Sequence, residues 1–216
     1  MRRPTLRPAQ SDNVEPGART AIMLAAREAL ADPSNAFESL DRLLDRSGYS
    51  EDDVRATFGS MDDLAIALAE RNTLVLSQPL LSGMRPGTLA DVRDTLIDFG
   101  LGAWKEYATT LVGFVRMMMA EGTRNPPLKR RMYEAGPATV MMTLRKFLQE
   151  ASERGILSIP DSRLYAEHVM GILREPLYQA LMLSPATRPE EAAADHVKAS
   201  LERFVQGCAN VGRATA

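Results

Sequence analysis

Apolar residues recur along this chain at spacings of three and four, and no window alternates convincingly with period two, so the pattern predicts helices throughout. Ile22, Ala25, Ala26, Ala29 and Leu30 mark the first helix, which runs from Ala18 and ends before Pro33. Phe37, Leu40, Leu43 and Leu44 carry a short second helix to about Arg46, and Gly48 stands where a left-handed C-terminal residue belongs. Ser50 and Asp53 form a capping-box pair that opens a third helix, anchored by Val54 and Phe58 and stopped at Gly59. Ser60 and Asp63 repeat the cap, and Leu64, Ala65, Leu68 and Val75 continue a fourth helix to about Leu81.

The stretch Ser82–Gly87 carries turn residues and reads as a boundary. Beyond it Thr88 and Asp91 cap a fifth helix with Leu89, Val92, Leu96, Phe99 and Trp104 on its stripe. Leu111 to Met119 is apolar nearly all round except for Arg116, the pattern of a buried helix. Pro126-Pro127 starts a helix that runs to about Arg154, interrupted or kinked at Gly136-Pro137 and stopped at Gly155. Asp161–Leu183 and Arg188–Asn210 are the last two. The expected fold is all-α with about nine helices: a flexible tail over 1–16, a first unit over 17–81, a helical bundle over 88–210 and a short tail over 211–216.

Composition removes whole classes of chemistry. Cys208 is the only cysteine, which excludes an internal disulfide, and His168 and His196 lie too far apart for zinc-ligand spacing. Neither a GxxxxGK[ST] loop nor a GxSxG elbow occurs, so no enzyme activity and no cofactor is expected. No apolar run reaches membrane-spanning length, and the chain is expected to be soluble, cytoplasmic and without a membrane partner. The net charge of −2 gives no global sign of nucleic acid, so that question rests on local patterning.

That patterning brings a resemblance. Ser39 to Leu64 reads S-L-D-R-L-L-D-R-S-G-Y-S-E-D-D-V-R-A-T-F-G-S-M-D-D-L, with Ser39, Leu43, Gly48, Ser50, Val54, Phe58, Ser60, Asp62 and Leu64 at spacings that resemble the TetR family of bacterial transcriptional regulators. Arg174 to Leu183, R-E-P-L-Y-Q-A-L-M-L, is similar to the penultimate-helix motif of one TetR subgroup. The resemblance implies a helix-turn-helix whose third helix enters a DNA groove, a ligand-binding bundle, and a homodimer. The DNA-binding residues it implies are Ser39, Arg42, Arg46, Ser50, Glu51, Asp52, Arg55 and Thr57.

The chain departs from the family where DNA contacts are made. Glu51, Asp52 and Asp53 open the recognition helix, Arg55 stands for the family tyrosine, Thr57 for histidine, and Met61 for a phosphate-facing lysine. Residues 18–64 hold five arginines, no lysine and ten acids, a net of −5, the opposite of an ordinary phosphate-binding surface. Acids in a first turn also complement the helix dipole, which explains Asp53 without DNA. Two functions stay open: a homodimeric regulator, a repressor, controlled by a small apolar or amphipathic effector, or a TetR-fold ligand-binding or protein-interaction module that has lost operator binding.

By the same resemblance an effector pocket is expected among Phe99, Trp104, Tyr107, Phe114, Arg116, Met117, Met118, Tyr133, Met141, Met142, His168 and Ile172, although each apolar member also suits a plain core. Arg116 is expected to pair with Glu121 or Glu106. The stripes of the last two helices are wider than one bundle contact needs, which places Leu173, Leu177, Leu181, Val197, Leu201 and Phe204 at a dimer seam.

Overall fold

The structure, a computed structural model, describes residues 16–35, 38–107, 109–182 and 191–209; the side chains of 16, 33, 176, 177, 179–182 and 191–193 are outside that description. Phe37, Leu177 and Leu181 therefore lie outside it, as do both expected tails apart from Pro16. Among the described residues the regular elements are helices: α1 (Pro16–Ala31), α2 (Leu40–Arg46), α3 (Glu51–Phe58), α4 (Met61–Ser82), α5 (Leu89–Tyr107), α6 (Leu111–Arg124), α7 (Pro126–Tyr133), α8 (Thr139–Glu153), α9 (Ser162–Met182) and α10 (Glu191–Cys208). A π-helical turn, Glu134–Ala138, joins α7 to α8, so the kink expected at Gly136-Pro137 is a local widening of one continuous rod.

The starts and stops follow side-chain chemistry. Ser50 accepts from the Asp53 amide while the Asp53 carboxylate takes the Ser50 amide, a complete capping box on α3. Gly48 at φ 81° and Gly59 at φ 93° turn the chain before and after α3, in a region that costs a side chain about 1–2 kcal/mol. Asn125 accepts from the Leu128 amide to start α7, with Pro126-Pro127 in the first turn where their missing donors are not needed.

Two apolar cores hold the helices. One gathers Leu80 of α4 with Leu96 and Phe99 of α5, Leu144 and Phe147 of α8, Val169 of α9 and Leu201 of α10. The other gathers Ile22, Leu43, Leu44, Val54 and Leu64 from α1–α4, and α6 and α7 complete it with Phe114, Met117, Leu128 and Met132. Burying a large apolar side chain stabilises by roughly 1.5–3 kcal/mol, so α6 and α7 are bound firmly to the first four helices. At Gly113 of α6 the backbones of α6 and α1 meet, and a Cβ there would overlap the Leu30 carbonyl. The far end of the chain is tied by Ser158 N–H donating to the Cys208 carbonyl at 2.7 Å, beside a single bridge between Leu157 and Ala209.

Candidate functional site

Helix α3, the expected recognition helix, is electrostatically closed on itself. Arg55 Nη2 donates to Glu51 Oε1 at 2.7 Å, and Nη1 lies 4.0 Å from Asp52 Oδ1. The other arginines of residues 18–64 are engaged as well. Arg42 reaches Glu38 at 3.5 Å, Arg46 reaches Glu38 at 3.5 Å and Asn35 Oδ1 at 2.7 Å, and Arg19 stacks 4.5 Å from the Phe58 ring centroid. Exposed pairs of this kind are worth about 0–1 kcal/mol each, so a phosphate is able to recruit these arginines, with the released acids left beside it. Thr57 is half-buried, and Ser50 is committed to the cap. Ser39 is buried, which withdraws it from a DNA face, and its hydroxyl is the main cause that holds Asp41 below its ordinary value.

Asp62 and Asp63, at the start of α4, face α7 rather than open solvent alone. Asn125 Nδ2 donates to Asp62 Oδ2 at 3.2 Å and Arg131 Nη2 donates to Asp63 Oδ1 at 3.0 Å. The Ser60 hydroxyl, then Arg131, hold the Asp63 carboxyl below its ordinary value.

A cavity of about 130 Å³ lies farther along α4, enclosed by α4, α5, α6, the π-turn, α8 and α9. Its walls are apolar, from Leu76, Leu111, Phe114, Val115, Met118, Val140 and Met170, with Asn72, Thr73 and Tyr107 as the polar members. Thr73 Oγ1 donates to the Ala135 carbonyl at 2.8 Å and so fastens α4 to the π-turn. Arg27 Nη1 of α1 donates to Asn72 Oδ1 at 2.9 Å, and its Nη2 approaches Glu106 Oε2 at 3.5 Å. Burial pushes the Tyr107 phenol up to about 12.

Of the residues expected in a pocket, Tyr107, Phe114 and Met118 line this cavity. The others are elsewhere. Phe99 is core, Met141 and Ile172 pack against that core, and Tyr133, Met142 and His168 are exposed. Met117 borders a separate cleft between α2–α4 and α6–α7, and Trp104, half-buried on α5, does not line the cavity. Arg116 is buried, Glu106 accepts from Arg27 and Thr110, and Glu121 pairs with Arg124 at 3.7 Å. Asn72, Thr73, Gly136 and Met170 were not anticipated. The signal for Asn72 was available: it falls four residues after Leu68 on the apolar stripe of α4, where a polar residue needs a reason.

The expected seam residues need a correction. Leu173, Val197 and Leu201 are 1%, 0% and 0% exposed within one chain, and Phe204 packs against the same core. Leu173, Val197 and Leu201, sealed from water in the single chain, have no surface left for a partner, whereas Phe204 is half-buried. The exposed stripe of α9 is Leu164, His168, Gly171 and Tyr178, at successive spacings of four, three and seven.

Among the described residues no helix is long and apolar enough to cross a membrane, and no group of His, Cys, Asp or Glu is arranged to hold a metal. No curated protein matches the chain significantly. Residues 107–207 match the family described as AefR-like transcriptional repressor, C-terminal domain. A TetR-family regulator of Mesorhizobium loti MAFF303099 superposes with TM-score 0.70 at 19% identity, covering 92% of this chain and 100% of that one. The flavonoid-responsive regulator FrrA does so with TM-score 0.60 at 24% identity over 92% and 100%, and Salmonella enterica GusR with 0.60 at 19% over 91% and 100%. Residues 107–207 thus match a TetR-type C-terminal domain, and the chain shares the fold of TetR-family regulators over nearly its whole length.

Proposed function

We propose that the protein is a homodimeric transcriptional repressor whose operator affinity is set by a small apolar or amphipathic molecule held in the cavity of α4, α5, α6, α8 and α9. The observation that carries this reading is the double duty of α4. Its first turn packs beside the recognition helix, and its middle supplies Ala69, Asn72, Thr73 and Leu76 to the cavity wall. A molecule that shifts α4 therefore shifts α3, and in a dimer it changes the spacing of two recognition helices. The two-part organisation, 17–81 and 88–210, belongs to the same proposal, with α9 and α10 meeting their copies across the exposed α9 stripe. A flavonoid-responsive regulator with this fold is consistent with an aromatic effector.

The experiment is retention of the full chain on genomic DNA at low and physiological salt, with sequencing of what stays bound. Enrichment of a few discrete sites supports the repressor. The closure of Arg55 by Glu51 and Asp52 favours a second reading, a module that has left DNA and meets a basic partner. No retention even at low salt overturns the repressor in its favour.

A further inference from the structure

The cavity has a chemical bias that its apolar walls conceal. Thr73 spends its proton on the Ala135 carbonyl. Arginine only donates, so the Asn72 carboxamide must turn its oxygen to Arg27, which leaves the amide nitrogen as the end free for another partner. Neither that nitrogen nor the Tyr107 hydroxyl has a hydrogen-bond partner among the described residues, although Asn72 and Tyr107 are only 7% and 6% exposed. Two donors without a protein partner, both on largely buried residues that line one cavity, are available to an acceptor on an occupant. No charged side chain lines the cavity, so an ion there would be uncompensated. The volume of about 130 Å³ is near that of the roughly 150 Å³ cavity known to hold benzene, which gives room for about one ring.

Resting on the effector reading above, we propose that the cavity selects a compact neutral molecule with a carbonyl-type hydrogen-bond acceptor, held by Asn72 and Tyr107, and that Asn72 reports it to α1 through Arg27. The phenol of Tyr107 stays protonated at physiological pH, so it remains a donor. An acceptor on one end of the Asn72 amide polarises the other end and tightens its grip on Arg27. The joint at Gly113 and Leu30 passes any shift of α6, which supplies four residues of the wall, to the same helix.

The test uses the full-length protein with cyclohexanone and methylenecyclohexane, which differ by one carbonyl oxygen against a CH2 group. Dissociation constants come from thermal-shift titration of the wild type, Tyr107→Phe and Asn72→Leu. Tyr107→Phe removes only an unpartnered hydroxyl and is expected to fold. It weakens cyclohexanone about fivefold, the value of one neutral hydrogen bond, and leaves methylenecyclohexane within about twofold. Asn72→Leu acts in the same direction. Cyclohexanone, unlike the hydrocarbon, also slows amide exchange over residues 22–31, and Arg27→Met abolishes that slowing. Equal responses of the two compounds to Tyr107→Phe overturn the acceptor proposal and leave the cavity reading standing. Slowing that persists in Arg27→Met overturns the link to α1. Failure of both compounds to bind the wild type overturns the cavity reading, and this proposal with it.

Discussion

Arg55 Nη2 sits 2.7 Å from Glu51 Oε1, one turn back along the recognition helix, so the only cation of residues 47–64 is held by an acid of its own helix. On DNA the guanidinium has to leave that acid for a phosphate or a base edge, and Glu51 and Asp52 then face the phosphate field without a counter-charge. Each such charge at contact distance costs about 1 kcal/mol in water. Glu51→Gln with Asp52→Asn is therefore expected to raise DNA retention at low salt roughly thirtyfold, and Arg55→Ala to remove it, as read by filter binding across a salt series.

Gly113 and Gly102 are both helical glycines with opposite surroundings. A Cβ at Gly113 overlaps the Leu30 carbonyl, whereas one at Gly102 meets nothing within 4 Å. Gly113→Ala is expected to cost about 3 kcal/mol, because two backbones must separate. Gly102→Ala is expected to stabilise by about 0.5–1 kcal/mol through helix propensity. Urea unfolding of the two variants checks the pair, and equal midpoints would contradict the close α1–α6 contact.

Leu164 and Tyr178 are 45% and 54% exposed on one stripe of α9. A charge placed on that stripe opposes dimer formation without touching the core of the single chain. Leu164→Glu and Tyr178→Glu are expected to sediment as monomers at micromolar concentration with unchanged helical content. Two dimeric variants would move the seam elsewhere.

Asp53, Asp63 and Asp91 all stand at helix starts, and all are held below the ordinary aspartate value. The main cause is the Ser50 hydroxyl for Asp53, the Ser60 hydroxyl for Asp63 and the Gly87 amide for Asp91. A carboxyl whose value is lower in the folded chain than in the unfolded one contributes fully above the unfolded value of about 3.9, and that contribution is lost as pH falls through the folded value. Thermal unfolding is expected to be flat in these groups from neutral pH down to about 5 and to weaken below about 4, with a shallower acid slope in Asp91→Asn. Ser50→Ala is expected to cost about 1 kcal/mol at neutral pH, measured by the same unfolding.

Local chemistry determined the elements of this protein. Pro33 and Gly59 end helices, Ser50 with Asp53 starts one, and the kink at Gly136-Pro137 follows from a ring without an N–H, because each of these effects acts within a turn of the residue that causes it. The Ser39–Leu64 stretch carried the resemblance for the same reason: its spacing is that of a helix-turn-helix. The tertiary structure alone decided what each buried face meets. Phe99 and Tyr107 share one face of α5, yet the first is sealed in the core and the second lines the cavity. Leu173 and Leu201 have the pattern of a seam and close on their own chain, while Arg27 finds Asn72 and Glu106 across 45 and 79 residues. Hydrophobic period says that a side chain leaves water, but its neighbour is set by how whole helices pack, which no local spacing encodes.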